Sequence, residues 1–310
     1  MNIALIFPGQ GSQYIGMGKD FFDNSDVSKS IFNNLDETMG TKLSELIFNG
    51  SEEELSKTTN SQPAIMSVSV AILKEINARG LLDNKKIHSV AGHSLGEYSA
   101  LVANNSLKFE DSVKLLIVRS EAMQKSMPIG TGGMAAVLGQ SEKEIIVVIE
   151  KLKSYGKLFI ANDNADGQIV LSGEINAIDY LCENSKLLGV KRAIKLPVSA
   201  PFHCELINEA SLILKTELEK FSFDAFSYPL YSNVTAEKSD VNNVKALLSK
   251  QVVNRVRWRE TIQNMIRDKV ETFIEIGPGS VLTNLIKRSK KDVKAVSIGK
   301  LSDLDKLKDI

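Results

Sequence analysis

Gly92-His93-Ser94-Leu95-Gly96 stands between an apolar run, Ile87 to Ala91, and a helical pattern from Leu95 to about Ala103. The stretch matches G-x-S-x-G in the one setting that gives the pattern chemical meaning, a strand running through a tight turn into a helix. The turn brings two backbones together and leaves little room for Cβ atoms on either side of the serine, which accounts for both glycines. It exposes the Ser94 hydroxyl and aims the N–H groups of the helix start at developing negative charge. Ser94 is therefore the candidate nucleophile.

Working outward, the same order of strand, glycine turn and helix recurs at both ends of the chain. An apolar strand after Met1-Asn2 ends in Phe7-Pro8-Gly9-Gln10-Gly11-Ser12-Gln13, and Thr272 to Ile276 ends in Gly277-Pro278-Gly279 before a helix near Val281. Helical patterning fills much of the interval to Gly80, including Ala64 to Ala78, and a second helix covers Phe109 to Lys125. Helices are also expected at Glu205 to Lys220 and Arg259 to Lys269, with a short strand at Pro229 to Ser232. Such alternation predicts a mainly parallel sheet.

Between Met127 and Pro197 the rhythm changes. Strands at Met134–Leu138, Lys157–Ala161, Gln168–Leu171 and Val190–Leu196 alternate with helices at Glu142–Lys153 and Asn176–Leu188. This is βαββαβ, the ferredoxin-like arrangement. The expected fold is α/β: a large α/β-hydrolase-like domain over 1–126 and 198–310, with an inserted ferredoxin-like subdomain over 127–197.

Composition bounds the function. Of 310 residues, 43% are apolar and 25% charged, which suits a soluble globular protein, and 38 Lys+Arg balance 38 Asp+Glu. Zero net charge argues against a general nucleic-acid binder. No stretch approaches the roughly 20 apolar residues of a membrane helix. The first apolar run stops at Pro8, too soon for a signal peptide. Cys182 and Cys204 lie far apart with no metal-ligand spacing, so neither a disulfide framework nor a metal site is expected. The cytoplasm is the expected compartment, or an organelle after loss of a presequence.

A neutral serine needs a base. The chain has three histidines: His88 begins the strand, His93 is adjacent to Ser94 on extended backbone, and His203 sits in the loop Ala200-Pro201-Phe202-His203. If Ser94 is catalytic, elimination leaves His203 as its base. The group that orients the imidazole is open: a carboxylate, a main-chain carbonyl or an amide oxygen would serve.

Arg119 has Leu115 and Leu116 at i−4 and i−3, and Ala122 and Met123 at i+3 and i+4, so it lies on the apolar stripe of its helix. A guanidinium there pairs with an internal acid, reaches water, or clamps a substrate carboxylate. The Pro8–Gln13 loop fits neither G-x-G-x-x-G nor a P-loop. It reads better as a loop that brings backbone N–H groups near the serine, with Gln10 the best-placed donor.

Together these pieces resemble the malonyl-CoA:acyl carrier protein transacylases, the discrete acyltransferases of fatty-acid synthesis. The matching segments are FPGQGSQ (7–13), QPA (62–64), AGHSLGEYSAL (91–101), VRSEAMQ (118–124), VSAPFH (198–203), SNVTA (232–236) and EIGPGSVL (275–282). They fall in family order across nearly the whole chain. The resemblance implies a ping-pong transfer of malonyl from malonyl-CoA, through a malonyl ester on Ser94, to the phosphopantetheine thiol of acyl carrier protein. No bound cofactor or metal is implied, and the protein is expected to act as a monomer. By the same resemblance His203 is base and then acid, Arg119 pairs with the malonyl carboxylate, and the N–H groups of Gln10 and Leu95 form the oxyanion hole. Gln251 corresponds to the glutamine whose carbonyl orients the histidine, a dyad plus amide. Phe202 is similar to malonyl-selective members.

One position departs from the family pattern: Arg255 stands where a proline is common, in the run that leads from Gln251 to Trp258. The alternatives are a serine esterase or thioesterase of α/β-hydrolase type, whose acid between serine and histidine and HGGG-type loop are absent, and a non-catalytic carrier-binding scaffold. Carrier proteins of this pathway are acidic, so two basic clusters are candidate docking sites. One holds Lys186, Lys191, Arg192 and Lys195; the other holds Lys287, Arg288, Lys290, Lys291 and Lys294.

Overall fold

A computed structural model of the protein describes residues 1–310 except Ser199 and Lys291. The strands are β1 (Asn2–Phe7), β2 (Lys86–Gly92), β3 (Gly132–Leu138), β4 (Leu158–Ala165), β5 (Gln168–Glu174), β6 (Arg192–Lys195), β7 (Leu230–Tyr231), β8 (Lys238–Ser239), β9 (Thr272–Ile276) and β10 (Lys294–Ile298). They form two sheets, ordered β10-β9-β1-β2-β7-β8 and β4-β5-β3-β6. In the first, every pairing from β10 to β7 is parallel and only β8 runs antiparallel at the edge. Every pairing of the second is antiparallel.

The large sheet is covered on both faces, which is why β1 is almost continuously apolar and β9 is buried along its whole length rather than on alternate residues. The helix Thr58–Ala78 fills one face with Ala64, Ile65, Val68, Ile72 and Ile76, all fully buried. Trp258, Ile262, Leu282 and Ile286 pack on β1 and β9 from the other side. The second sheet has the ferredoxin-like strand order and its own core, built from Val137, Ile145, Val148, Leu171, Ile178 and Leu181. It enters the chain between the helix Phe109–Lys125 and β7.

The α/β class and the ferredoxin-like insert are as expected; several boundaries are not. The helix at Thr58 starts six residues before Ala64 and holds Pro63 in its second turn, where the ring gives no N–H to the carbonyl four residues back. β4 continues beyond Ala161 to Ala165, where it gains partners from Val256 outside its own sheet: Val256 N–H donates to Ala161 O at 2.8 Å and Asp163 N–H to Val256 O at 2.9 Å. The helix expected at Glu205 begins as a 3-10 turn, Glu205–Ile207, before Asn208–Leu218. β8, β10 and the helix Val244–Gln251 carry too weak a pattern to be read from sequence, β10 because it begins inside the second basic cluster.

Candidate active site

β2 delivers the chain to the elbow at its carboxyl end. Ser94 has φ 53°, a left-handed conformation that costs a serine of order 1–3 kcal/mol and persists only where its surroundings enforce it. Here they do. A Cβ on Gly92 would lie 1.9 Å from the backbone of Gly96, and one on Gly96 would lie 2.3 Å from Phe7 O, so both glycines are steric requirements. Asn233 staples the turn: its Oδ1 accepts from Ser94 N–H at 2.7 Å and its Nδ2 donates to Gly92 O at 2.7 Å.

His203 also has a left-handed backbone, φ 61°, held by its N–H donating to Val252 O at 3.0 Å. Its Nε2 lies 2.8 Å from Ser94 Oγ and its Nδ1 2.8 Å from the main-chain oxygen of Gln251. A carbonyl can only accept, so Nδ1 carries the proton and Nε2 presents its lone pair to the serine hydroxyl. Burial, reinforced by Arg119, pushes the imidazole down to about 3, which leaves it neutral and able to accept a proton near pH 7. The orienting group is thus a main-chain carbonyl. The side-chain amide of Gln251 does something else.

That amide belongs to the arginine. Arg119 is 1% exposed; its Nη1 donates to Gln62 Oε1 at 2.6 Å, and its Nη2 to Gln251 Oε1 at 2.8 Å and to Ser94 Oγ at 3.0 Å. Its Nε has no hydrogen-bond partner among the described residues, and the ring of Tyr98 lies 5.8 Å away. No carboxylate pairs directly with the guanidinium among the described residues. Burial lowers its affinity for the proton, opposed by Tyr98 and Glu97. Of the three fates open to such an arginine, reaching water is excluded by burial, and its internal partners are two amides and the Ser94 hydroxyl.

A cleft of about 770 Å³ lies over Ser94 and His203, bounded by Gln10 and Leu95 on one side and by Met134, Asn162 and Leu196 of the antiparallel unit on the other. Phe202 is part of its wall. The backbone N–H groups of Gln10 and Leu95 have no acceptor among the described residues, while the Gln10 side chain reaches Thr58 Oγ1 at 3.4 Å.

The basic clusters part company. Lys195 borders a groove of about 1730 Å³ that shares Ser56, Leu196, Pro197 and Val198 with the cleft, although it also pairs with Asp179 at 2.5 Å. Lys191 and Arg192 are exposed at the other end of the edge strand β6, beside Leu138 and Gly139, and line neither cavity. Lys287 and Arg288 are exposed at the end of the helix Val281–Ser289 and line neither cavity; Lys291 lies outside the described residues. No group of three or more His, Cys, Asp or Glu is placed to hold a metal among the described residues.

Sequence reasoning gave no role to Glu97, Gln62 or Asn233, although each stands in a segment it singled out. Glu97 is 2% exposed and burial raises its carboxyl to about 7. An acid in the first turn of a helix ordinarily complements the dipole at the surface, and nothing in the spacing marks this one as buried.

A strained serine elbow, a histidine held by a carbonyl, unused N–H groups beside them and a buried cation define a serine acyltransferase. Residues 4–304 match the sequence model of the family described as "Acyl transferase domain", and the chain belongs to that family. It is 42% identical over 298 residues to a malonyl CoA-acyl carrier protein transacylase of Bacillus subtilis (strain 168), an alignment that covers 96% of this chain and 93% of the relative. It is similar to the crystal structure of an acyl-carrier-protein-S-malonyltransferase from Bartonella henselae, with TM-score 0.95, 43% identity and coverage of 99% and 98%. A malonyl-transacylase solved in complex with its type II polyketide-synthase acyl-carrier protein superposes with TM-score 0.95 at 34% identity over the whole of both chains.

Proposed function

We propose that the protein transfers malonyl from malonyl-CoA to the phosphopantetheine thiol of an acyl carrier protein, supplying fatty-acid synthesis. The observation that carries this reading is Arg119: a buried cation, without a direct acid partner, whose Nη2 is 3.0 Å from the nucleophile. An acyl group esterified to Ser94 and ending in a carboxylate two carbons from the ester carbonyl folds back onto that guanidinium; a neutral acyl group leaves it unpaired.

The steps follow from the geometry. The malonyl carboxylate exchanges hydrogen bonds with Arg119 while the thioester carbonyl points at the N–H groups of Gln10 and Leu95. Ser94 Oγ attacks the carbonyl carbon as His203 Nε2 takes its proton, and Gln251 O steadies the imidazolium through Nδ1–H. The C–S bond breaks, His203 returns the proton to sulfur, and CoA leaves with malonyl held on Ser94. The carrier thiol reverses the sequence: it gives its proton to His203, attacks the ester carbonyl, and Ser94 departs as a hydroxyl. Every proton and electron pair is handled by chain and substrates, so the reading invokes no metal or redox cofactor.

The carrier is expected on the Lys195 side, because the groove there runs into the cleft. Of the described residues of the two basic clusters, only Lys195 lines that groove; Lys191, Arg192, Lys287 and Arg288 do not. One chain supplies every residue the sequence of steps uses, consistent with a monomer. No helix among the described residues is long and apolar enough to cross a membrane, and the proposed site of action is the cytoplasm.

The test is mass spectrometry of the protein mixed with malonyl-CoA. One malonyl group on Ser94, gained as CoA is released and then passed to holo but not apo carrier protein, is expected; Ser94→Ala takes up none. Free malonate without an adduct indicates a hydrolase, and an unreacted serine indicates a scaffold.

A further inference from the structure

Gln251 is the hub of the site. Its main-chain oxygen holds His203, its Oε1 accepts from Arg119, and its Nε2 donates to Ser94 O at 3.0 Å and to the carboxylate of Glu97. Only one orientation of this amide works. Flipped, its NH2 would face the guanidinium, and its oxygen would face a carbonyl and a carboxylate. Glu97, buried on the helix Gly96–Ala103, uses both oxygens as acceptors: Oε2 takes the Gln251 amide and Oε1 the backbone N–H of Asn233, at 3.3 Å. The same Asn233 staples the nucleophile elbow.

We propose that Glu97 is a positioning residue for acyl-group selectivity: it locks the Gln251 amide and thereby holds Arg119 where a malonyl carboxylate must meet it. The Glu97 side chain touches neither Ser94 nor His203, only its backbone N–H reaching Ser94 O at 3.1 Å, and its effect on Arg119 passes through one side chain. His203 is reached through the main chain of Gln251, which needs no particular amide orientation. Loss of Glu97 should therefore weaken recognition of a charged acyl group far more than general reactivity of Ser94. The inference rests on the proposed malonyl transfer.

Glu97→Gln tests it, because an amide has one acceptor where the carboxylate has two. Either Gln251 Nε2 or Asn233 N–H then faces a donor, whichever way the new amide turns. Single-turnover labelling of Ser94 by malonyl-CoA and by acetyl-CoA, followed by mass spectrometry, reads the two acyl groups on one enzyme. In E97Q the malonyl rate is expected to fall by about tenfold, with acetyl labelling within about twofold of wild type. An equal fall for both acyl groups overturns the proposal by making Glu97 merely structural; no change in either overturns it too. If E97Q is recovered only unfolded, Glu97→Asp keeps both acceptors on a shorter arm and is expected to lower the malonyl-to-acetyl ratio in the same direction. An unchanged ratio in E97D overturns the proposal equally. Wild-type protein that takes up no malonyl would sink the functional reading instead, so the two failures are distinguishable.

Discussion

The two halves of the site are built from different material. The nucleophile half is made of backbone: two glycines that admit no Cβ, a serine and a histidine in left-handed conformation, and a main-chain carbonyl behind the imidazole. The acyl-recognition half is made of side chains, with Arg119, Gln62, Gln251 and Glu97 joined by hydrogen bonds and all buried. Backbone geometry is hard to vary without losing the fold, whereas a network of side chains is retuned by single substitutions. A fold that keeps its chemistry while changing the acyl group it accepts would divide its site along this line.

Gly92→Ala strikes the first half and has the largest expected effect. Its Cβ would fall 1.9 Å from the Gly96 backbone, on an element that cannot yield without moving β1 or the helix behind it. The cost is about 3 kcal/mol or more, which lowers the thermal midpoint by about 5 °C or more and abolishes labelling of Ser94 by either acyl-CoA. A variant with wild-type midpoint and labelling would break the claim that the elbow is limited by backbone sterics.

Arg119→Ala strikes the second half. Removing the guanidinium takes away the partner of the substrate carboxylate, a loss of about 3 kcal/mol, or roughly a hundredfold in malonyl kcat/KM. Acetyl transfer should be spared or raised, because an acetyl group asks nothing of Arg119. Steady-state rates with both acyl-CoAs check this, and retained malonyl preference would erase the distinction between the halves.

The same division decided what could be read from the chain itself. The elbow is local: glycine spacing, a preceding apolar run and a following helix are all present within a few residues. The helix Phe109–Lys125 is long and regular enough to be read end to end, and with it the burial of Arg119. The partners of Arg119 were not legible, since Gln62 and Gln251 stand 57 and 132 residues away, and Glu97 meets Gln251 across 154 residues. No local pattern records such contacts. The role of Gln251 came only from resemblance, and even so its side chain and main chain proved to serve different partners. The ferredoxin-like order was legible because two helical patterns break four short apolar strands into βαββαβ, but β4 overran its expected end, where its last residues go on pairing with β5 and also meet Val256 outside their sheet.

That pairing bears on the position where this chain departs from its family, and gives the smallest expected effect. Arg255 replaces a rigid residue just after Gln251, in the segment whose path places the carbonyl behind His203. Its guanidinium meets Glu142 of the antiparallel unit at 2.5 Å and Glu260 at 3.4 Å, and the side chain is 31% exposed. Ion pairs this accessible to water contribute at most about 1 kcal/mol. The path is fixed independently by backbone bonds that need no side chain: Val256 N–H to Ala161 O and Asp163 N–H to Val256 O, with His203 N–H on Val252 O upstream. Arg255→Ala should therefore lower the thermal midpoint by no more than about 3 °C and change malonyl labelling of Ser94 by less than about threefold. A loss of tenfold or more would mean that the ion pair, and not the backbone bridge to β4, sets the carbonyl behind the base, which would move part of the nucleophile half into side-chain territory.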